Sequence, residues 1–166
     1  MKSVLHVGCG PDPLPEWMTD CVETRLDIAD TFSPDIVANM TGMGDIGTFD
    51  IVFARHSLEH LAHHDVSKAL KEFLRVLNKD GHAIIFVPDL EDAKPTEDVL
   101  FESPAGPITG LDLIYGFRKV IEQFPYMAHK TGFTQHTIQL AFKDAGFSEV
   151  TTKRLPNYDL MCVGKK

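Results

Sequence analysis

The chain has 166 residues, 43% of them hydrophobic and 24% charged, enough for one packed domain and too apolar for a disordered polypeptide. Its net charge of −8, from 24 acidic against 16 basic residues, argues against a partner held through phosphates, because non-specific nucleic-acid affinity comes from clustered Lys and Arg. No apolar run approaches the roughly 20 residues of a membrane span, the N-terminus shows no signal-type apolar core, and Cys9, Cys21 and Cys162 lack the spacing of a disulfide or zinc framework, so a cytoplasmic protein with reduced thiols and neither a membrane nor a nucleic-acid partner is expected.

In chain order, Val4 to Val7 reads as a short buried strand that breaks into Gly8-Cys9-Gly10. Glycine permits positive φ and lets a ligand lie against main-chain N–H groups. The dinucleotide fingerprint G-x-G-x-x-G fails, because Pro13 stands where the third glycine belongs. Pro11, Pro13 and Pro15 leave room for one or two helical turns over Leu14 to Thr19, so the crossover to the next strand, Cys21 to Ile28, is minimal. Asp27 ends that run, 17 positions after Gly10, and a carboxylate there can accept hydrogen bonds from the diol of a ribose. Asp35 to Ala38 predicts a third strand, and residues 39–48, with three glycines, a loop.

Phe49 to Ala54 is almost continuously apolar, as in a central parallel strand covered on both faces. Asp65 is expected to cap a helix carrying Val66, Ala69, Leu70, Phe73, Leu74 and Leu77 on one face, closed by Gly81. Ala83 to Val87 predicts a fifth strand ending at Pro88-Asp89. Residues 89–133 break the alternation, acidic and proline-bearing at first, then helical from about Leu111 to Phe124. Thr134 should cap a helix with Ile138, Ala141, Phe142 and Ala145 inward and Gly146 at its end. Phe147 to Lys153 and Tyr158 to Val163 flank Leu155-Pro156-Asn157 as a hairpin. The whole, residues 1–166, reads as a single α/β domain.

The glycine loop with Asp27, and the segment FDIVFARHSLEHL from Phe49 to Leu61, resemble motif I, the ribose-binding acid and the fourth-strand segment of class I S-adenosylmethionine (SAM) dependent methyltransferases, in particular the small type 11-like kind, with a shortened first helix. The resemblance implies a Rossmann-like, mostly parallel seven-stranded sheet with a C-terminal antiparallel hairpin. It implies SAM as cofactor, held by Gly8, Cys9, Gly10, Asp27 and Ile28, with Met40 and Thr41 flanking the adenine. Ala54, Arg55 and His56 would lie near the methionine moiety. His6 stands where motif I usually carries an acid, and Asp12 where a small residue is common, which keeps open a binding module of this fold that has lost catalysis.

The acceptor is expected to be a small molecule. Neither the D/N-P-P-Y/F segment of amino methylation of DNA bases nor the Pro-Cys of cytosine methylation follows the fourth strand, where Ala54-Arg55-His56-Ser57 stands. Residues 89–133 are the candidate lid, with Phe101, Leu113, Tyr115, Phe117, Tyr126 and Phe133 as lining; the alternative is a shield for the sheet or a homodimer contact. His56, His129, His136 and Tyr115 are the groups able to serve as a base. His56-Ser57-Leu58-Glu59-His60 also fits the zinc motif H-x-x-E-H, which leaves a zinc hydrolase as a rival. That rival needs a helix and a third ligand that the sequence does not show, so no metal is expected.

Overall fold

The computed structural model describes residues 1–166. Five strands follow one another in parallel: β1 (Ser3–Val7), β2 (Val22–Asp27), β3 (Ile36–Val37), β4 (Phe49–Arg55) and β5 (Leu77–Pro88). The last two strands, β8 (Val150–Leu155) and β9 (Asp159–Lys165), are antiparallel, and the insert contributes a separate hairpin, β6 (Val99–Ser103) with β7 (Gly106–Thr109). The seven-stranded sheet runs β3-β2-β1-β4-β5-β9-β8. Strand order reverses between β1 and β4, and in open α/β sheets ligands bind at that switch, beyond the carboxyl ends of the strands.

The two faces of the sheet are covered unequally. One face packs against α1 (His63–Val76) and α4 (Gln135–Ala145) and forms a core of 24 buried residues that includes Leu5, Val52, Ala54, Leu70, Phe73, Ile85 and Phe142. The other holds a cluster of six, Val4, Met18, Ile51, Phe53, Ile84 and Phe86. Its cover is the stretch of Leu14 to Cys21, which contains only a three-residue 3-10 turn at Glu16–Met18. Trp17 lies edge-on to Phe53 at 6.2 Å while remaining 61% exposed.

The helix α1 has the expected apolar stripe, but its ends differ from the sequence expectation. Its N-cap is Ala62, and Asp65 sits in the first turn, paired with Lys68 at 2.8 Å, where a negative charge meets the positive end of the helix dipole. At the other end the chain passes straight into β5, since Leu77 is extended, buried and paired with Phe49. Gly81 therefore lies inside a strand, where a Cβ would stand 2.9 Å from the Asp50 carbonyl oxygen. It permits a close strand approach rather than closing a helix.

The insert is not one helix over 111–124. It contains β6–β7, then α2 (Gly110–Tyr115) and α3 (Arg118–Ile121), interrupted by Gly116 at φ +97°. A reciprocal capping box of Thr109 and Asp112 starts α2, and one of Thr134 and Thr137 starts α4. Gly146 closes α4 in the left-handed region, and Phe147 packs on Phe142 at 4.8 Å, so β8 starts at Val150 rather than at Phe147. No helix is long and apolar enough to cross a membrane.

Candidate functional site

The glycine loop is hung from the end of β2. The N–H groups of Gly8 and Cys9 both donate to the Leu26 carbonyl oxygen, at 2.8 and 3.2 Å. Gly8 (φ +64°) and Gly10 (φ +48°) are both left-handed, but they serve different ends. A Cβ on Gly8 would fall 2.5 Å from the Cβ of Ser57, whereas one on Gly10 would meet nothing within 4 Å. Gly8 thus allows the first loop to pack on the end of β4, and Gly10 borders open space.

Asp27 completes that edge. Its Oδ2 accepts from the Gly10 N–H at 2.9 Å and its Oδ1 from the Ala29 N–H at 3.0 Å. An ionised carboxylate has about four acceptor positions, so one on each oxygen stays available to a diol. Beside it Ile28 is 62% exposed, an apolar surface next to the carboxylate. The Met40 methyl lies 3.9 Å from where a Gly8 Cβ would be, which brings the third-strand loop to the same place. Thr41 turns back on itself, its N–H and hydroxyl both donating to Asn39 Oδ1. Cys9 is buried, so only its backbone faces the loop, and burial pushes its thiol pKa up.

The residues at the end of β4 separate. Ala54 is fully buried in the main core and has only backbone to offer. The Arg55 guanidinium lies over the Phe86 ring at 5.6 Å and 3.7 Å from Asp159. His56, left-handed at φ +49°, stands between two carboxylates, with Nδ1 3.6 Å from Glu59 and Nε2 3.6 Å from Asp159. Burial lowers the His56 pKa, but these carboxylates outweigh it and hold it above its ordinary value. Burial raises that of Asp159.

His129 arrives from the far end of the insert. Its Nδ1 lies 3.1 Å from the Leu113 carbonyl oxygen, its Nε2 4.0 Å from Glu59 Oε1, and its ring 5.2 Å from that of His60. Burial holds its pKa below the usual value. Tyr115 is 59% exposed and joins this group only through its carbonyl, which accepts from the His129 N–H. His136 is an exposed residue of α4 without a hydrogen bond to the cluster. Of the expected lining, Phe133 belongs to the main core and Leu113 is buried, because the insert's return segment bridges to β5 through Asp89 and Phe133. Phe101 stacks on Tyr158 at 6.4 Å, beside an open cleft of about 530 Å³ lined by Glu91, Asp92, Ala93, Lys94, Thr96, Leu100 and Tyr158.

The zinc-hydrolase geometry does not form. His56 is outside any helix, Leu58–His60 is a single 3-10 turn, and His60 Nε2 faces the His56 carbonyl oxygen at 3.1 Å instead of standing beside its imidazole. The missing third donor nevertheless exists, since Glu59, His60 and His129 come within 4.8 Å of one another. Sequence reasoning also missed Arg25, Glu23, Ser57 and Asp159. Arg25 Nη2 donates to the Gly10 carbonyl at 2.6 Å and Nη1 to the Asp12 carbonyl at 2.9 Å. The only signal was charge at Glu23 and Arg25, two apart on a strand and therefore on one face.

A family model described as a methyltransferase domain matches residues 1–152. No curated protein matches. Solved structures share the fold. PigF with SAH is similar at 15% identity and a TM-score of 0.66, covering 99% of this chain and 50% of that one. Human N-acetylserotonin methyltransferase in complex with SAM is similar at 14% and 0.67, covering 99% and 47%. A Burkholderia thailandensis 1,6-didemethyltoxoflavin-N1-methyltransferase, solved with bound 1,6-didemethyltoxoflavin and S-adenosylhomocysteine, is similar at 14% and 0.65, covering 99% and 71%. The chain spans about half the length of the first solved structures it matches.

Proposed function

The chain belongs to the methyltransferase domain family, which uses SAM as methyl donor, and from that premise we propose that it transfers the SAM methyl group to an oxygen or nitrogen of a small-molecule acceptor. The observation that carries the reading is the pairing of Gly10, which borders open space, with Asp27, which keeps a free acceptor position on each oxygen. A nucleoside fits that edge: the diol meets the carboxylate, and Ile28 and Met40 offer apolar faces to the base. Held there, SAM would supply an activated methyl carbon to the acceptor's oxygen or nitrogen, with S-adenosylhomocysteine as the leaving group and the acceptor's proton lost to solvent.

This chain's residues then have three tasks. Gly8, Cys9, Gly10 and Asp27 fix the nucleoside end. His56, whose pKa Glu59 and Asp159 hold above its ordinary value, would stand at the methionine end. The insert, 89–133, borders the acceptor side as part of the one domain. Orientation of this kind can lower a barrier by roughly 7–11 kcal/mol. The small-molecule class is supported by similar structures described as a didemethyltoxoflavin methyltransferase and a pyocyanin biosynthetic protein.

A second reading, a SAM-binding module without turnover, draws on His6. Its buried ring is held by Glu23 at 2.7 Å, so this position carries no acid for the ligand's ammonium. Calorimetry with S-adenosylhomocysteine, followed by an assay of its release from SAM across phenol, amine and heterocycle acceptors, separates the two. Binding with acceptor-dependent release is expected; absence of binding overturns both.

A further inference from the structure

Glu59 is the least reconciled group in the molecule. It is 1% exposed, and neither carboxylate oxygen has a hydrogen-bond partner. Burial alone would keep it protonated, but the three surrounding histidines hold its pKa below the ordinary value. His56 Nδ1 stands 3.6 Å away, in ion-pair range but beyond hydrogen-bond distance, and a buried carboxylate without hydrogen bonds is ordinarily paired or bound to a metal.

The fold brings nitrogen donors to this carboxylate. The Lys130 and Thr131 N–H groups both donate to the Glu59 carbonyl oxygen, at 2.9 and 3.2 Å, which lays the end of the insert across the 3-10 turn and delivers His129. His129 Nδ1 lies 3.1 Å from the Leu113 carbonyl oxygen, which leaves Nε2, 4.0 Å from Glu59 Oε1, as the nitrogen available to an ion. In a neutral ring that nitrogen carries a lone pair, which a cation placed between it and the carboxylate would accept. An outer nitrogen tied to a backbone carbonyl is also how metal-binding histidines are oriented. His60 has its ring nitrogens against two carbonyl oxygens, of His56 at 3.1 Å and Ala128 at 3.3 Å. A neutral ring can donate to only one of them, so the other nitrogen faces a carbonyl oxygen without a proton between them and would gain by turning to a cation.

We propose that Glu59, His60 and His129 form a binding site for a divalent transition-metal ion of the zinc class. Donor atoms from all three lie within 4.8 Å of one another, and bonds of about 2.0–2.2 Å span the 4.0 Å between His129 and Glu59 with little movement. Two imidazoles and a carboxylate suit zinc, iron or manganese rather than calcium, which takes an all-oxygen shell. Three protein ligands leave a position open. The ion links the insert to the rim of β4, two residues from Ser57 against the glycine loop. The site stands on this geometry alone and does not depend on methyl transfer.

The test uses the whole chain, stripped with EDTA, loaded with Zn²⁺ or Co²⁺ and dialysed. One ion per chain by mass spectrometry, a visible Co²⁺ absorption band, a raised Tm, and binding that weakens as the pH falls and the ligands protonate are expected. His129→Ala and Glu59→Gln should weaken binding by more than the about 10–100-fold that loss of an outer partner costs, while His64→Ala, at an exposed residue of α1, retains it. If buried Glu59→Gln does not fold, His129→Ala, in the insert, decides the matter. No retained ion, or retention undiminished in His129→Ala (an adventitious ion on surface histidines), overturns the site.

Discussion

Asp27 has two duties, holding the glycine loop and presenting free acceptor positions, and Asp27→Asn separates them. In the ligand-free protein its oxygens accept from Gly10 and Ala29. The carboxamide keeps one oxygen, so its NH₂ must face one of these N–H groups. The unpaired donor costs about 1–3 kcal/mol, which in a chain of this size lowers Tm by roughly 2–4 °C per kcal/mol. Toward a nucleoside the loss is larger. One hydroxyl bond disappears and the other loses its charge assistance; at about 1.5–3 kcal/mol per bond to a charged group, a total of about 2–4 kcal/mol raises Kd roughly 30- to 1,000-fold. Calorimetry with S-adenosylhomocysteine, which cannot turn over, reads this directly at a temperature where the variant is folded. A lowered Tm with Kd within about threefold of the unmodified protein would refute the ribose contact and leave Asp27 only as a loop anchor.

Gly8→Ala should lower Tm strongly, because the new methyl would stand 2.5 Å from Ser57 Cβ at a positive φ. Gly10→Ala should fold with a loss of about 1–2 kcal/mol and weaken SAM binding instead; equal effects on both measurements would contradict the packing difference. Desolvation opposes ionisation of Asp112, but the bonds from Arg118 and Thr109 prevail and bring its pKa down to about 2. Its stabilisation, on the order of 1–2 kcal/mol, is therefore complete above its unfolded pKa near 3.9 and lost as the pH falls toward 2. Urea unfolding of Asp112→Asn against pH should show that slope flattened, and an unchanged slope counts against the assignment. Replacing residues 99–108 with a short Gly-Ser linker should leave SAM affinity within a few fold and abolish methyl transfer; normal turnover would remove the insert from the acceptor side. Fluorescence anisotropy with DNA or RNA should find no submicromolar binding, given 24 acidic against 16 basic residues.

The parallel half of the sheet was legible because buried strands write themselves as apolar runs. β4 and β5 carry Ile51 to Ala54 and Ala83 to Val87, all under 10% exposed, and the amphipathic α1 and α4 follow from period 3.6. The hairpin β6–β7 was not legible. None of its residues is fully buried, and Pro104 and Pro107 read as loop. Gly116 broke the expected helix through a local conformation, not through composition. The Glu59–His60–His129 cluster joins positions about 70 residues apart in sequence, which no short motif records.

Arg25 answers a question the shortened first helix raises, namely what holds the glycine loop. In a doubly wound sheet a full helix after β1 covers the face and anchors the loop at its own first turn. Here the crossover contains one 3-10 turn, so the loop's carbonyls need another donor. The guanidinium of Arg25 supplies it from β2, bonding the carbonyls of Gly10 and Asp12, and Glu23 on the same strand face holds it at 3.3 Å. Glu23 also takes His6 Nδ1 at 2.7 Å, and burial keeps the His6 pKa below its ordinary value despite that bond. An acid at position 6 would face Glu23 as a second negative charge and compete for Arg25. The histidine thus fits the strand-borne anchor: with Glu23 holding Arg25, a ring nitrogen at position 6 meets that carboxylate where an acid would oppose it.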